Sequence, residues 1–253
     1  MKIKAICFDL GDTLVCSENQ LSWANNYKNA LEKGFNSINK KPTEDEYNNC
    51  VEILKKYNTR INPREYEISS GQIFNEIMEL MKLNIKEKNI IEKYFFDYYM
   101  KNNKAFDDTE EVLEDIKKNN FKIGILTDVP YGSIKVVIDD INTIKNNKII
   151  DVILSSVEVG YRKPNVNGYL MLSKKLGIQI DEMIYIGNEE KDIIGANKAG
   201  IISILINRTN QEINYGEKYQ FKNLLDMWNF IKKNFNAEFN PENDQKCSSF
   251  ILN

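Results

Sequence analysis

Residues 3 to 15 read IKAICFDLGDTLV, an apolar strand that ends at Asp9 and leads into a Gly-Asp-Thr turn. In open α/β sheets, ligands bind in a crevice at the carboxyl ends of the parallel strands. A carboxylate at the end of a buried strand therefore lies where a ligand would bind. Asp9 is the leading candidate for a nucleophile.

Further apolar runs follow along the chain, separated by polar segments with helical periodicity. They are FKIGILT (121–127), IIDVILSS (149–156), MIYIG (183–187) and IISILI (201–206). Strand patterns that alternate with helical patterns predict repeated βα units and a parallel sheet. The expected fold class is α/β.

The segment from 16 to 105 has a different pattern, with long amphipathic stretches and no convincing strand. We expect an all-helical cap at 16–105, inserted into an α/β core made of 1–15 and 106–236. FKNLLDMWNFIKKNF (221–235) is expected to be a closing helix. The polar tail at 237–253 is expected to be loosely ordered.

Composition excludes several classes of partner. The 253 residues are 42% hydrophobic, enough for a substantial core, and the net charge is -3 with basic residues spread along the chain. This distribution favours neither nucleic acid nor an anionic membrane as a partner. No apolar run approaches the roughly 20 residues of a membrane helix, and the chain enters a strand after two lysines, so we expect a cytoplasmic protein. The sequence leaves the oligomeric state open.

The chain contains no histidine, which excludes Ser-His-Asp and Cys-His nucleophile systems and histidine-ligated zinc. Its cysteines form no CxxC pair, which favours reduced structural thiols over a zinc site or a disulfide framework. They are Cys7, Cys16, Cys50 and Cys247. Any chemistry must then use carboxylates, lysine and hydroxyls, with or without a hard metal ion.

Polar residues suited to phosphoryl chemistry follow the later strands. Thr127 and Asp128 end the second run, where a hydroxyl and exposed amides would hold phosphate oxygens. Lys163 precedes Pro164 in GYRKP, and its ammonium would reach an anion. The fourth run leads into GNEEKD (187–192), whose oxygen ligands suit magnesium.

In this order, FDLGDTL, ILTDVP, GYRKP and YIGNEEKDIIGANKAG resemble the four motifs of the haloacid dehalogenase (HAD) superfamily, in its branch with a helical cap after the first motif. Each motif alone is weak, but four in order on consecutive βα units are specific. The resemblance implies a Rossmann-like parallel sheet of order 5-4-1-2-3. For most members it also implies magnesium-dependent hydrolysis of phosphate esters through an aspartyl-phosphate.

The resemblance also implies roles for particular residues. Asp9 corresponds to the nucleophile, Thr127 to a phosphate-binding hydroxyl, and Lys163 to the cation that holds nucleophile and phosphate together. The substrate, a small phosphate ester, is expected to bind at Thr127, Asp128 and Lys163. The expected cofactor is Mg²⁺.

Four residues are implied as ligands of that metal. They are Asp9, Gly11 through its backbone carbonyl, Asn188 and Asp192. Asn188 stands where the family usually has aspartate, so one negative charge is missing and a lower metal affinity is expected.

Two further departures concern the region of the nucleophile. Family phosphatases usually carry a second aspartate two residues after the nucleophile, as the acid and base, but here that position is Gly11. General acid-base catalysis contributes about 10² to 10⁴-fold, so slow turnover is expected unless Asp12 or a cap carboxylate replaces it. Asp128 replaces a residue that is neutral in many members, and a carboxylate beside phosphate is repulsive unless it pairs with a cation.

Three functions therefore remain open. The first is a magnesium-dependent phosphatase of a small phosphorylated metabolite. The second is a HAD-fold binding or regulatory protein with little or no catalysis, which Gly11 and Asn188 would permit. The third is metal-independent dehalogenase-like hydrolysis, in which a halide leaves without needing a proton.

Overall fold

A computed structural model describes residues 2–17, 22–100, 102–209 and 211–235 of the chain. The strands it contains are, in chain order, β1 (Ala5–Phe8), β2 (Val15–Ser17), β3 (Asn103–Ala105), β4 (Lys122–Thr127), β5 (Val152–Ser155), β6 (Met183–Gly187), β7 (Ile202–Ile206) and β8 (Tyr219–Phe221). Six of these strands form one sheet in the order β5-β4-β1-β6-β7-β8, and every neighbouring pair runs parallel. The α/β class predicted from the sequence is confirmed.

The strand order agrees with the expected one except at one edge. The five predicted strands are β1, β4, β5, β6 and β7. Numbered 1 to 5 along the chain and read from β7 towards β5, they have the expected order 5-4-1-2-3. The additional strand β8 pairs with β7 through Ile204 and Tyr219. It was not predicted because it has three residues in a polar stretch, which is too short for a period-2 pattern.

The helices are α1 (Trp23–Ser37), α2 (Glu44–Tyr57), α3 (Ser70–Leu80), α4 (Ile85–Met100), α5 (Thr109–Lys118), α6 (Ile134–Asn142), α7 (Ser156–Val159), α8 (Asn167–Leu176), α9 (Glu190–Lys198) and α10 (Leu224–Phe235). Alternate residues of β1 face opposite sides of the sheet, as strand geometry requires. Ile6 and Phe8 pack with the side of the core that includes α5 and α10, whereas Ala5 and Cys7 pack with the side that includes α8. Both faces of the central strand are therefore buried under helices.

Helices α1 to α4 lie between β2 and β3, which pair as an antiparallel ribbon. The sequence predicted no strand in this part of the chain, and the ribbon escaped notice because each of its strands has three residues. Helix α2 begins with a capping box between Thr43 and Glu46, and α3 begins with one between Ser69 and Gln72. Such reciprocal bonds satisfy the free amides of a helix start and fix where the helix begins.

Aromatic side chains of α4 form the centre of the helical layer. Phe95 and Phe96 are buried, and the ring of Tyr99 stacks on Trp23 with centroids 3.8 Å apart. Within the described ranges, no helix combines the length and the apolar content needed to cross a membrane. Residues 237–253, the predicted tail, lie outside the described residues.

Candidate active site at the carboxyl edge of the sheet

Residues from three strands meet where the parallel strands end. Asp9 directly follows the central strand β1, and its N–H donates to the Ile186 carbonyl over 2.8 Å. Phe8 is in register with Ile125 of β4 and Ile186 of β6. Thr127 ends β4, and Asn188 follows β6. The sheet therefore brings these predicted site residues to one edge, because parallel strands share the direction in which they end.

Lys163 lies beside Asp9 in the interior of this edge. Its Nζ is 2.6 Å from Asp9 Oδ1 and 2.6 Å from Asp192 Oδ1. It also donates to the Leu126 carbonyl over 3.2 Å. The Lys163 side chain is 2% exposed and that of Asp9 is 10% exposed. The ammonium is thus held by two carboxylates in a region of low dielectric, where such contacts are strong.

The same contacts set the protonation of both groups. Burial raises the pKa of Asp9 to about 7, because it penalises the charged form, while the Lys163 ammonium opposes the rise and the Asp192 carboxylate adds to it. Burial alone would lower the pKa of Lys163, but the carboxylates of Asp192 and Asp9 outweigh it and raise that pKa well above its ordinary value. Lys163 is therefore a permanent cation beside the carboxyl group of Asp9.

Asp192 is the fourth residue that the resemblance implied as a metal ligand. It is fully buried at the start of α9, and its Oδ2 accepts from the amides of Asn188 and Glu189 over 3.1 and 3.0 Å. Its other oxygen contacts Lys163. Both oxygens are therefore engaged away from the side chain of Asn188. These contacts connect Asp192 to the Lys163 ammonium and to the loop after β6.

Three oxygen-bearing groups come together next to the Asp9 carboxylate. One terminal atom of the Asn188 amide lies 3.3 Å from Asp9 Oδ2, 3.1 Å from the Gly11 carbonyl oxygen and 3.0 Å from Thr13 Oγ1. With its nitrogen at this point, the amide donates to these oxygens. With its oxygen there, it accepts from the Thr13 hydroxyl and completes an all-oxygen set around Asp9.

This set fits a magnesium ion. Mg²⁺ binds oxygen at about 2.0–2.1 Å in an octahedron, so that adjacent ligand oxygens are about 3 Å apart. Among the described residues no group of three or more carboxylate, thiol or imidazole side chains is arranged to hold a metal. A magnesium site here would consist of one carboxylate (Asp9), one carbonyl (Gly11) and one amide (Asn188), with the remaining positions left to water and a ligand.

Asp128, expected to be a substrate-binding residue, is neutralised by cations. Its Oδ1 accepts from the Lys163 amide over 3.0 Å, and its Oδ2 lies 3.2 Å from Lys191 Nζ. Burial raises the pKa of Asp128, but Lys191, Lys163 and Arg162 outweigh it and hold that pKa below its ordinary value. The preceding Thr127 is 5% exposed, and its hydroxyl makes a long bond of 3.4 Å to the Asp128 carbonyl. This weak contact leaves the hydroxyl available to a ligand.

A cavity of about 1200 Å³ opens above these residues. Its wall includes Asp9, Gly11, Thr127, Lys163 and Asn188, together with residues of the helical layer and of the segment between α2 and α3. Two of the latter, Arg60 and Arg64, had no distinguishing signal in the sequence, because an arginine in a polar segment reads as a solvated surface residue. Arg60 Nη2 lies 2.7 Å from Glu189 Oε1, so this segment reaches across the cavity to the loop after β6.

The turn after Asp9 leaves room near the nucleophile. A Cβ at Gly11 would meet no atom within 4 Å. Asp12 lines the cavity in a left-handed conformation with φ 57°, which aspartate tolerates because its side chain bonds locally. Burial and the nearby Glu189 carboxylate raise the pKa of Asp12.

Comparison with known proteins places the chain in a family. A family model described as haloacid dehalogenase-like hydrolase matches residues 6–206. A glyceraldehyde 3-phosphate phosphatase of Methanopyrus kandleri is 26% identical over 209 residues, which are 81% of this chain and 84% of that one. An (S)-2-haloacid dehalogenase 4A of Burkholderia cepacia is 26% identical over 133 residues, which are 51% of this chain and 56% of that one.

The fold is also similar to that of a protein of known structure. A crystal structure of a HAD phosphatase from Thermococcus onnurineus superposes with a TM-score of 0.62 at 18% identity, over 90% of this chain and 98% of that one. The matched range extends from β1 to the end of β7 and contains every predicted site residue, so the chain belongs to the haloacid dehalogenase-like hydrolase family.

Proposed function

We propose that the chain is a magnesium-dependent phosphatase of a small phosphorylated metabolite that works through an aspartyl-phosphate on Asp9. The observation that carries this proposal is the buried contact of 2.6 Å between Lys163 and Asp9 at the carboxyl edge of the sheet, on the wall of a large cavity. The phosphatase name of the Methanopyrus kandleri relative supports the same class of reaction.

In the proposed reaction the Asp9 carboxylate attacks phosphorus in line with the leaving oxygen. Lys163 favours the ionised form of Asp9 and orients it, and it offers positive charge to the equatorial phosphate oxygens. The Thr127 hydroxyl donates to another of these oxygens. Water then cleaves the aspartyl-phosphate. Positioning and charge stabilisation of this kind account for most of phosphoryl-transfer catalysis.

Magnesium, held by Asp9, the Gly11 carbonyl and Asn188, would neutralise charge on the transferring phosphoryl group. Asp192, which the resemblance implied as a further ligand, has the role of positioning Lys163 in this proposal. Residues 16–105 would act as a cap that excludes water during the first step, with residues 1–15 and 106–236 as the core.

Protonation of the leaving group is the weak step of the proposed reaction. Gly11 carries no acid, so the proton must come from a carboxyl elsewhere on the cavity wall or from water. Asp12 and Glu65 are among the carboxyl residues that line the cavity, and we propose them as candidates for this proton transfer. We therefore expect faster turnover of esters whose leaving group needs no proton, such as aryl phosphates.

A metal-independent hydrolase of the dehalogenase type is the second candidate. It is favoured by the Asn188 amide, whose nitrogen would donate to Asp9 and to the Gly11 carbonyl in place of a cation. The dehalogenase name of the Burkholderia cepacia relative points the same way. A halide leaves without protonation, so this reaction would not need an acid at Gly11.

One experiment separates the two candidates. Phosphate release would be measured from sugar phosphates, nucleotides and an aryl phosphate, with magnesium and with chelator, and halide release from 2-haloacids would be measured in parallel. Magnesium-dependent phosphate release supports the phosphatase. Halide release that survives chelation replaces it with the second candidate. Absence of both products would leave a HAD-fold binding protein.

A further inference from the structure

The segment between α2 and α3 is fastened to the loop that carries Lys163. The Arg162 amide donates to the Glu65 carbonyl over 2.7 Å, and the Glu67 amide donates to the Gly160 carbonyl over 3.0 Å. These bonds form a short antiparallel bridge between Tyr66 and Tyr161. The backbone of this segment is therefore joined to the loop that carries Lys163.

Two guanidinium groups in this region share one carboxylate. Glu67, 2% exposed, accepts a hydrogen bond from Arg162 Nη1 and one from the Ser156 hydroxyl, the latter over 2.5 Å. Its other oxygen lies 3.4 Å from Arg64 Nη2. Arg162 is also 3.8 Å from Asp128, but that carboxylate is closer to Lys191, at 3.2 Å. Of the two guanidinium groups, Arg64 therefore has the longer contact with the Glu67 carboxylate.

Arg64 is buried and incompletely bonded. Its side chain is 8% exposed. Nη1 donates to the Tyr57 carbonyl over 2.8 Å, whereas Nε is buried and finds no acceptor among the described residues. A buried charged donor without a partner is costly, and a turn of the guanidinium that lets an anion accept from it removes the cost. Arg64 lines the same cavity as Asp9.

We propose that Arg64 binds a second anionic group of the substrate, so that the substrate is a small phosphate monoester bearing a carboxylate or a second phosphate. This inference rests on the proposed role of Asp9 for the reacting phosphate. The guanidinium suits such a group because its planar donors match two oxygens of one carboxylate or phosphate. Arg64 then selects the substrate, while Asp9, Thr127 and Lys163 act on the phosphoryl group.

Binding to the Asp9→Asn variant, in which the nucleophile is removed, tests the inference without turnover. Calorimetric titrations would use three probes: ethyl phosphate with no second anion, 2-phosphoglycolate with a carboxylate, and pyrophosphate with a second phosphate. A hydrogen bond to a charged group corresponds to about tenfold or more in affinity. At least one doubly anionic probe should bind about tenfold more tightly than ethyl phosphate. The doubly anionic probe that binds more tightly shows whether the second anionic group is a carboxylate or a phosphate.

Substitutions then assign this preference to Arg64. Arg64→Gln should reduce the ratio of affinities to near one, and Arg64→Lys, which keeps the charge but loses the paired donors, should leave an intermediate ratio. Arg60→Gln is the matched control, because it removes the same charge from the same segment and the same cavity, where Arg60 is 81% exposed. It should change the ratio by less than about twofold, since exposed charges are screened.

The outcomes separate the inference from the proposed function. Equal affinity for all three probes, or no binding of any, would overturn the anion subsite even if the wild-type chain releases phosphate. A preference that persists in Arg64→Gln, or that Arg60→Gln removes equally, would also overturn it. A preference that depends on Arg64, in a chain that hydrolyses none of the esters, would support the subsite and contradict the phosphatase.

Discussion

Lys163 Nζ lies 2.6 Å from Asp9 Oδ1, and neither side chain is more than 10% exposed. A buried pair of this kind is costly to break, because removing one partner leaves the other charge without compensation. Here a third charge, Asp192, depends on the same ammonium at 2.6 Å. Lys163 therefore serves both the stability of the fold and the ionisation of the candidate nucleophile.

The first prediction concerns that pair. Lys163→Met should lower the free energy of unfolding by about 3 kcal/mol, because two buried carboxylates lose their cation. Urea unfolding measures the change. The control is Lys117→Met, since Lys117 and Asp151 are also 2.6 Å apart but 37% and 32% exposed. That variant should lose less than about 1 kcal/mol. Equal losses in the two variants would show that burial does not strengthen the Lys163 contacts.

The second prediction concerns the missing acid. Gly11→Asp should fold normally, since a Cβ there meets nothing within 4 Å. If the new carboxyl reaches the leaving group, hydrolysis of alkyl phosphates should rise by up to about 10²-fold while aryl phosphates gain much less. Gly11→Asn has nearly the same volume and transfers no proton, so it should give no selective gain. An unchanged ratio of alkyl to aryl rates in Gly11→Asp would place the proton transfer elsewhere.

The third prediction concerns the metal. Asn188→Asp adds a carboxylate beside Asp9 and the Gly11 carbonyl, so the magnesium concentration for half-maximal phosphate release should fall by about tenfold. Asn165→Asp adds the same charge on a residue that does not line the cavity and should leave this concentration unchanged. A wild-type activity that persists in chelator, and that Asn188→Asp lowers, would instead show that the Asn188 amide replaces the cation.

The fourth prediction concerns pH and stability. Burial raises the pKa of Asp140 to about 6, the neighbouring Asp139 and Asp12 add to the rise, and the Asn103 amide opposes it. The native state then binds this proton more tightly than the unfolded state, whose pKa is about 3.9. Stability from this group is present below about pH 4 and is lost as the pH rises through about 6.

Asp140→Asn should remove the loss of stability at higher pH, because asparagine does not ionise. It keeps an acceptor for the Asn103 amide. Relative to the wild type, the variant should gain up to about 3 kcal/mol between about pH 4 and about pH 7, as followed by urea unfolding. Asp139→Asn is the control, because Asp139 is partly exposed and pairs with Lys135. It should show a much smaller gain, since burial is the larger cause of the raised pKa of Asp140. A constant difference between Asp140→Asn and the wild type across this range would contradict the prediction.

The sequence predicted the long strands of the sheet and the site residues at their carboxyl ends. Each long strand carries several apolar residues in a row, and Asp9, Thr127 and Asn188 directly follow or end such strands, so their meeting at one edge follows from parallel pairing alone. The three-residue strand β8 carries no periodic signal, and neither do the two strands of the ribbon that flanks the helical layer.

Contacts between distant segments were not predictable in the same way. The sequence predicted Asp192 as a metal ligand and gave no sign of its contacts with the Asn188 and Glu189 amides and with Lys163, which depend on how α9 begins over the sheet. The burial of Arg64 depends on the path of a 12-residue polar connection between α2 and α3. Spacing along the chain contains no information on that path.

The nucleophile is the central claim, and the rate of phosphate release by Asp9→Asn tests it most directly. The wild type and the variant would be compared with magnesium on the ester that the wild type hydrolyses fastest, with thermal unfolding measured on both. The account predicts that release falls by at least about 10³-fold, since the asparagine amide cannot form the aspartyl-phosphate, while the fold is retained. Turnover of the same size in Asp9→Asn would contradict it.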